Sequence, residues 1–279
     1  MIMKPVSWYK SLSRPDARRS EGYFLVEGRR AVSHLVSFHR GSVEELLCVG
    51  GADALRAPPP LRPESAADNA GGCTVDAAGI PVRPVTAANM KSISTSRTPQ
   101  GVAALVKIPP DVYTPRIPPS LLSGEGAAAR VLLLEHVQDP GNVGTLIRTA
   151  AAFGCRCVIL SGKCADPFSP KAVQSTAGSV LSLHIRRSGG YVGMAAELKK
   201  NGYKLFAAGL GGEDTYALEG AGRRIIALGS EGAGLSGDIL GMSDRVVRIP
   251  IDAGAAESLN VAAAGAIMMF MGFVETAEK

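Results

Sequence analysis

The chain of 279 residues is long enough for two domains, or for one large domain with a substantial buried core. Its hydrophobic fraction of 46% is ordinary for a globular protein and excludes disorder throughout. Five cysteines, an odd number without regular spacing, argue against a disulfide framework and favour a reducing compartment. The N-terminus lacks the apolar core of a signal peptide, and the longest apolar run, 261–274, is too short to span a bilayer. We therefore expect a cytoplasmic protein that does not enter membranes.

The formal net charge of +5 is unevenly distributed along the chain. Residues 1–110 hold 14 Lys and Arg against 9 Asp and Glu, whereas residues 111–279 hold 16 of each sign. A merely solvated surface is the commoner reason for such charge, but a basic part joined to a neutral one also suits a protein that holds a polyanion and acts on it. The expected nucleic-acid contacts are Arg14, Arg18, Arg19, Arg29 and Arg30.

The first part of the chain predicts a small α/β domain over residues 1–108. Its expected elements are a short basic helix or turn at 14–19, a strand at 22–26, a helix at 27–38, strands at 43–49 and 74–75, a helix at 86–92 and a strand at 102–108. The helix at 27–38 should bury Ala31, Leu35 and Phe38 on one face. Residues 50–72, which contain three consecutive prolines, predict a loop or a poorly ordered insertion.

Residues 109–126 have the composition of a linker, with five prolines and no apolar periodicity. After it, residues 127–279 alternate strand and helix patterns. The expected strands are 131–135, 157–160, 204–208, 224–228 and 246–249, and the expected helices are 143–153, 169–179, 191–201 and a final apolar helix. Short strands interleaved with helices indicate an α/β domain with a mostly parallel sheet covered on both faces. Ligands of such sheets bind beyond the carboxyl ends of the strands.

The first strand end with chemical character reads E-H-V-Q-D-P-G-N-V-G-T-L-I-R-T-A from Glu135 to Ala150. A strand enters a Pro-Gly turn, and the turn opens a helix with Asn142 near its start and Arg148 about a turn and a half further on. Nothing here matches G-x-G-x-x-G, so a dinucleotide site is weakly supported. Arg148 is either a surface ion-pair partner or one of the few charges on a face of small residues.

The second strand end reads I-I-A-L-G-S-E-G-A-G-L-S from Ile225 to Ser236, an apolar strand that enters a glycine-rich loop with one acid, Glu231. It is not a nucleophile elbow, because G-x-S-x-G requires glycine where Leu228 stands. It is not a phosphate-binding Walker loop either, because no Lys-Ser or Lys-Thr pair follows. The glycines allow a ligand to approach the backbone closely, or simply a tight turn.

The third stretch, 245–274, predicts a strand stopped by Pro250, a loop of small residues, and a long apolar helix with Ser258 at its N-cap. A buried C-terminal helix alone would not need the polar residues Glu257, Ser258 and Asn260 at its start. The helix dipole and free N–H groups there favour an electron-rich partner.

Together these three stretches resemble the motifs of the SpoU (TrmH) family of RNA ribose 2′-O-methyltransferases, within the SPOUT superfamily. D-P-G-N-V-G-T-L-I-R-T-A is similar to the first motif, L-G-S-E-G-A-G-L-S to the second, and I-P-I…E-S-L-N-V-A-A-A to the third. Y-F-L-V-E-G-R-R-A-V and S-R-T-P-Q-G-V-A-A-L-V resemble the small RNA-binding domain that precedes the catalytic domain in many members. The segment around Asp252 is one residue longer than usual.

The resemblance implies a deep trefoil knot, a homodimer formed through the last helix, and S-adenosylmethionine bound in the knot. The matching cofactor positions, which act largely through backbone groups, are Ala208, Gly209, Leu228, Gly229, Ile249, Leu259 and Asn260. Lys171 resembles a basic position near RNA in this family. No metal is implied: Cys155, Cys157 and Cys164 lack C-x-x-C spacing and a nearby histidine.

The implied reaction is an in-line displacement in which a ribose 2′-oxygen takes the methyl group from the sulfonium. Arg148 matches the catalytic arginine of the family, and the other polar motif positions are Asn142, Glu231, Ser258 and Asn260. We expect Arg148 to polarise the hydroxyl or relay its proton, because arginine is permanently cationic. Glu231 and Asn142 would hold Arg148 and the loops, and Ser258 and Asn260 would border the ribose–methionine junction.

Other functions stay possible at this stage. A nucleic-acid binder without catalysis would need the basic part but not the third motif. A dehydrogenase or methyltransferase of Rossmann type would need a glycine fingerprint after its first strand, where D-P-G-N-V-G stands instead. Among RNA substrates, the two-domain layout favours ribosomal over transfer RNA.

Overall fold

The computed structural model describes residues 4–50, 79–123, 129–214, 218, 222–252 and 254–277, with side chains up to Val274. Nearly all of the predicted insertion at 50–72 and the strand expected at 74–75 lie outside these residues. The chain divides into two compact units. The first takes the chain up to Pro109 together with Phe168–Leu181, and the second takes Pro110–Pro167 and the chain from Ser182 onwards.

The first unit is built on a four-stranded sheet in the order β1-β4-β2-β3. Its strands are β1 (Tyr23–Glu27), β2 (Val43–Val49), β3 (Val82–Val85) and β4 (Val102–Lys107). The central strand β4 runs antiparallel to both β1 and β2, and β3 adds to β2 in parallel. Pro84 is tolerated in β3 because an edge strand can lack one N–H donor.

Four helices near the N-terminus belong to this unit: α1 (Val6–Ser11), α2 (Pro15–Glu21), α3 (Arg29–Phe38) and α4 (Ala87–Ile93). Helix α2 starts at a proline in its first turn and ends where Gly22 takes the left-handed conformation at φ 75°. The predicted buried face of α3 is wrong in part. Val32, Leu35 and Val36 are buried, whereas Phe38 is 60% exposed, because the helix is rotated relative to the predicted stripe.

The segment Phe168–Leu181, expected within the second domain, clusters with the first unit. It contains α7 (Pro170–Thr176), which packs on β1. The Phe168 ring lies 4.8 Å from the Phe24 ring, between centroids, and both are buried. Gly178, with φ +99°, lies against the backbone of Ala31, where a Cβ atom would meet the carbonyl oxygen at 3.0 Å.

The second unit contains a six-stranded parallel sheet within the described residues, in the order β10-β8-β9-β5-β6-β7. The strands are β5 (Ala129–Leu134), β6 (Cys155–Ser161), β7 (His184–Ser188), β8 (Lys204–Asp214), β9 (Arg223–Leu228) and β10 (Arg245–Arg248). Strand β7 was not predicted, since its H-I-R-R-S sequence has little apolar content. In the sheet centre Leu133 pairs with Ile159 and with Ala227.

Helices cover both faces of this sheet, so the predicted α/β class with a parallel sheet is confirmed. Helices α6 (Pro140–Ala152) and α10 (Val261–Ala277) pack together, with α6 on β6 and α10 on β9. Helices α8 (Tyr191–Lys200) and α9 (Gly237–Met242) pack on each other and on β6 and β8. Across the described ranges, no helix has the length and apolar character needed to cross a membrane.

The described part of the predicted linker, residues 109–123, does not behave as a free connection. It forms α5 (Pro119–Leu122), and both Ile117 and Leu121 are buried in the same core as α8 and the sheet. The Tyr203 hydroxyl donates to the Leu121 carbonyl oxygen at 3.0 Å. Residues 109–123 therefore form an ordered strap, because the apolar residues between the prolines are buried in that core.

Candidate active site at the carboxyl edge of the parallel sheet

Three loops leave the carboxyl ends of strands in the parallel sheet and meet through side chains. They follow β5, β9 and β10, and they contain the three motif stretches predicted from the sequence. The Asn142 Nδ2 donates to Glu231 Oε1 at 2.7 Å, and the Asn260 Nδ2 donates to Asn142 Oδ1 at 3.3 Å. One amide therefore joins all three stretches, each of which supplies one residue.

Helix α6 presents Asn142 because of how the helix begins. Asp139 is the N-cap and accepts from the backbone N–H of Asn142 at 2.9 Å, and Pro140 occupies the first helical position. This places Asn142 in the first turn, where its amide faces the other two loops. Arg148 is exposed on the same helix and is not among the described residues that line the adjacent cavity.

The loop after β9 is a closed turn of glycine and small residues with one acid, Glu231. Ser230 and Gly234 exchange backbone hydrogen bonds of 3.2 and 2.9 Å, and Gly234 has φ +65°. A Cβ atom on Gly229 would lie 2.1 Å from the Gly234 carbonyl carbon, so only glycine fits. The wall formed by this loop is therefore mostly backbone.

A cavity of about 360 Å³ lies between this loop, the middle of β8 and the ends of β9 and β10. The predicted cofactor residues that line it are Ala208, Gly209, Leu228, Gly229, Ile249 and Leu259, and the predicted polar residues Glu231 and Ser258 line it as well. Asn260 does not line it and instead contacts Asn142. Residues not predicted for it include Leu210, Ser230, Gly234, Val247, Arg248, Ile251, Val261 and Ala264.

The start of the last helix differs from the prediction. Helix α10 begins at Val261, and Asn260 rather than Ser258 caps it, with Oδ1 accepting from the Ala262 N–H at 2.8 Å. Ser258 lies before the helix, at the cavity, because the loop continues two residues further than expected. Asp252 closes its own turn by accepting from the Gly254 N–H at 2.9 Å.

The predicted RNA contacts do not all lie at the surface. Arg14, Arg19, Arg29, Arg30 and Lys171 are exposed in the first unit. The prediction for Arg18 is wrong: it is 2% exposed, and its Nη1 donates to the carbonyl oxygens of Leu12 at 2.9 Å and Ser13 at 2.8 Å. The side chain is used to satisfy carbonyl groups at the end of α1, which sequence charge alone cannot reveal.

A buried acid beside the site was missed by the sequence reasoning. Glu135, at the end of β5, is 1% exposed and accepts from the Tyr191 hydroxyl and from the Ser236 N–H, the latter at 2.7 Å. Burial raises the carboxyl pKa, but these hydrogen bonds outweigh it, and the pKa of Glu135 lies below its ordinary 4.5. Burial and the adjacent Glu135 raise the pKa of the Tyr191 hydroxyl to about 12. The sequence signal that could have identified Glu135 is an acidic residue directly after the apolar run 131–134.

The cysteines of this unit are buried thiols. Burial raises the pKa values of Cys155 and Cys157 to about 12, so both stay protonated near neutral pH. Across the residues that the structure describes, no group of three or more His, Cys, Asp or Glu could hold a metal ion.

His136, directly after Glu135, has φ 59°, which is unusual for a residue other than glycine.

Comparisons with known proteins agree with this geometry. The SpoU rRNA Methylase family matches residues 129–270, and the MRM3-like substrate binding domain matches residues 6–104. The 23S rRNA (guanosine(2553)-2′-O)-methyltransferase RlmP of Bacillus subtilis is 30% identical over 265 residues, which are 94% of this chain and 93% of that protein.

Two solved structures are similar over nearly the whole chain. A TrmH-family structure from Porphyromonas gingivalis is 29% identical with a TM-score of 0.75, covering 99% of this chain and 100% of that one. The AdoMet-bound rRNA methyltransferase from Sinorhizobium meliloti is 26% identical with a TM-score of 0.74, covering 99% and 96%.

Proposed function

The chain belongs to the SpoU rRNA Methylase family and is an RNA 2′-O-ribose methyltransferase that uses S-adenosylmethionine; we propose that ribosomal RNA is its substrate. The observation that carries the proposed site is the amide of Asn142, which joins Glu231 and Asn260 beside the cavity. The choice of ribosomal RNA is supported by the relative RlmP, which matches this chain over nearly its full length and is named for 23S rRNA.

We propose that the cavity between the glycine loop, the middle of β8 and the ends of β9 and β10 holds the cofactor. Its volume of about 360 Å³ falls within the roughly 300–1,000 Å³ of small-molecule sites. The backbone of the glycine loop offers N–H and C=O groups to polar parts of the cofactor, and Leu228, Ile249 and Leu259 offer apolar surface to its adenine. The residues present therefore fit the group.

When bound, S-adenosylmethionine supplies an electrophilic methyl group. The task of the chain is to orient a ribose 2′-hydroxyl and to stabilise the negative charge that develops on its oxygen. We assign that task to Arg148, a permanent cation about 9 Å further along α6 than Asn142 at 1.5 Å per residue. Its exposure leaves it accessible to RNA from solvent.

The hydrogen-bonded group of Asn142, Glu231 and Asn260 then acts as a support. It ties the first turn of α6 to the glycine loop and to the start of α10, which sets the position of the helix that carries Arg148. Ser258 lines the cavity and is assigned to the junction between ribose and methionine. These roles are proposals for mutagenesis.

We further propose that the chain after β9 forms a trefoil knot and that α10 mediates a homodimer. Support for the knot comes from the path of the chain, which reaches the sheet edge at β10 and then returns to pack α10 on α6 and β9. Support for the dimer comes from exposed apolar side chains on α10, namely Ile267, Phe270 and Phe273.

The first unit is proposed to bind the RNA. Two of its exposed arginines, Arg29 and Arg30, occupy the first turn of α3, where no acid accompanies them. Cations at a helix N-terminus oppose the helix dipole, so their placement costs stability and suits an anionic partner. RNA phosphates provide that partner.

We propose that the protein acts in the cytoplasm. Cys155, Cys157 and Cys164 are buried free thiols in the structure. Free thiols agree with a reducing compartment.

The experiment that tests the proposed function is methyl transfer to RNA by the wild type and by Arg148→Ala. Transfer from labelled S-adenosylmethionine is measured on ribosomal and on transfer RNA, with alkaline-resistant sites mapped as 2′-O-methylation. Loss of one preorganised electrostatic group typically costs about 10²–10³ in rate, so we expect that loss in Arg148→Ala with cofactor affinity unchanged. Arg116→Ala, which removes another exposed arginine of the second unit, should retain activity.

Retention of more than about a tenth of the wild-type rate by Arg148→Ala would remove Arg148 from the mechanism, since it is far above the loss expected for such a group. Preferential methylation of transfer RNA would overturn the choice of ribosomal RNA.

A further inference from the structure

We infer that Glu135 is a positioning residue, which holds the end of the glycine loop 229–234 that forms one wall of the cavity. This role rests on the proposed cofactor site. It adds a residue outside the three motif positions discussed above, because Glu135 precedes the first motif and does not line the cavity.

The contacts of Glu135 join three segments that are distant in sequence. Its Oε2 accepts from the N–H of Ser236 at 2.7 Å, and its Oε1 accepts from the hydroxyl of Tyr191 at the start of α8. Ser236 is itself the N-cap of α9 and follows the glycine loop by two residues. The backbone N–H of Glu135 donates to the Leu228 carbonyl oxygen at 2.9 Å, at the other end of that loop.

The loop is therefore clamped twice by one short stretch of chain. Its side chain Glu231 is bound by Asn142, and Ser236, two residues after the loop, is bound by Glu135, which precedes Asn142 by seven residues. Between these points the loop is closed on itself by the Ser230–Gly234 hydrogen bonds. If the Glu135 clamp opens, the loop can move as a unit without losing its internal bonds.

Both carboxylate oxygens of Glu135 act as hydrogen-bond acceptors in this clamp. A buried carboxylate is stabilised only by donors, and here one donor is a backbone N–H that cannot reverse its direction. A glutamine in the same place offers a single acceptor oxygen, which must face the Ser236 N–H, so its NH2 group faces the Tyr191 hydroxyl. Tyr191 can rotate its hydroxyl to accept from that amide, so both contacts persist in Glu135→Gln but lose the assistance of the negative charge.

The experiment compares Glu135→Gln with Asp244→Asn in the full chain. Asp244 makes an equivalent bond, with Oδ2 accepting from the Leu205 N–H at 2.7 Å, but at the amino end of β8, away from the cavity. Calorimetric titration with S-adenosylmethionine gives affinity, and hydrogen exchange without cofactor gives the opening of amides 229–236. Glu135→Gln should weaken affinity about tenfold, the effect of losing one charge-assisted hydrogen bond, and should raise exchange in 229–236 selectively. Asp244→Asn should change neither.

The outcomes separate this inference from the proposed function. Failure of the wild type to bind S-adenosylmethionine overturns the proposed cofactor site itself. Wild-type binding with equal affinity and equal exchange in Glu135→Gln overturns the positioning role alone. Faster exchange spread evenly over β5, β9 and α9 also overturns it, because Glu135 would then be a general core residue.

Tyr191→Phe decides the question if Glu135→Gln does not fold. It removes one donor from the carboxylate and leaves the backbone bond to Ser236 in place. A smaller increase of exchange, still confined to 229–236, supports the clamp. An unchanged exchange pattern in a folded Tyr191→Phe protein contradicts it.

Discussion

The two units use their polar residues in different ways. At the carboxyl edge of the parallel sheet, Asn142, Glu231 and Asn260 bind one another across three loops, and the wall beside them is glycine backbone. In the first unit, the exposed residues Arg19, Arg29 and Arg30 stand on separate helices, α2 and α3. A site of the first kind depends on atomic fit, whereas a charged surface of the second kind depends on the sum of its charges. Substitutions should therefore have large, local effects at the site of the second unit and small, additive effects at the exposed arginines of the first.

The largest effect on cofactor affinity is expected from Gly229→Ala. The new methyl group would lie 2.1 Å from the Gly234 carbonyl carbon, and a backbone atom cannot move aside without opening the loop. Overpacking costs about 1–3 kcal/mol, and the upper end of this range corresponds to roughly a hundredfold loss of affinity. Calorimetric titration with S-adenosylmethionine measures it.

Gly241→Ala, at an exposed position of α9 outside the cavity lining, is the control. A Cβ atom there meets nothing within 4 Å. We expect cofactor affinity to stay within about threefold of the wild type, since surface substitutions usually change free energies by about 0.5 kcal/mol. Equal affinities of the two variants would show that the loop is not a closely fitted wall.

The second effect is a loss of stability in Arg18→Ala. Removing the guanidinium leaves the Leu12 and Ser13 carbonyl groups without this donor, and hydrogen bonds to charged groups contribute about 1.5–3 kcal/mol. We expect the free energy of unfolding in urea to fall by about 2 kcal/mol, with little change in the salt dependence of RNA binding. A drop in RNA affinity at unchanged stability would instead indicate that Arg18 contacts RNA.

The smallest effect is expected from Arg30→Ala. If Arg30 contacts one phosphate, the slope of log K against log salt should fall by about one, and RNA affinity should fall several-fold. Stability should not decrease, because the substitution removes a cation from the positive end of a helix. Filter binding over a salt series measures this, with Lys200→Ala in the second unit as the charge-matched control. An unchanged slope would exclude a phosphate contact.

Much of the second unit could be predicted from local pattern. Apolar runs such as 131–134 and 225–228 are long enough to identify buried strands, and parallel strands place their carboxyl ends at one edge. The meeting of the loops after them follows from that geometry. Six of the seven residues predicted to bind the cofactor line the cavity. They could be predicted because the cavity wall consists largely of backbone in and directly after the strands.

Other features required the folded chain. The sequence by itself determined the strand ends, the glycine loop and the excess of positive charge near the N-terminus, because each is a property of adjacent residues. Only the tertiary structure decided that Arg18 is buried, that Asn260 rather than Ser258 caps α10, and that the prolines after Pro109 belong to an ordered strap. Burial and hydrogen bonding depend on groups brought together from distant parts of the chain. The same holds for Glu135, whose partners Tyr191 and Ser236 lie 56 and 101 residues away.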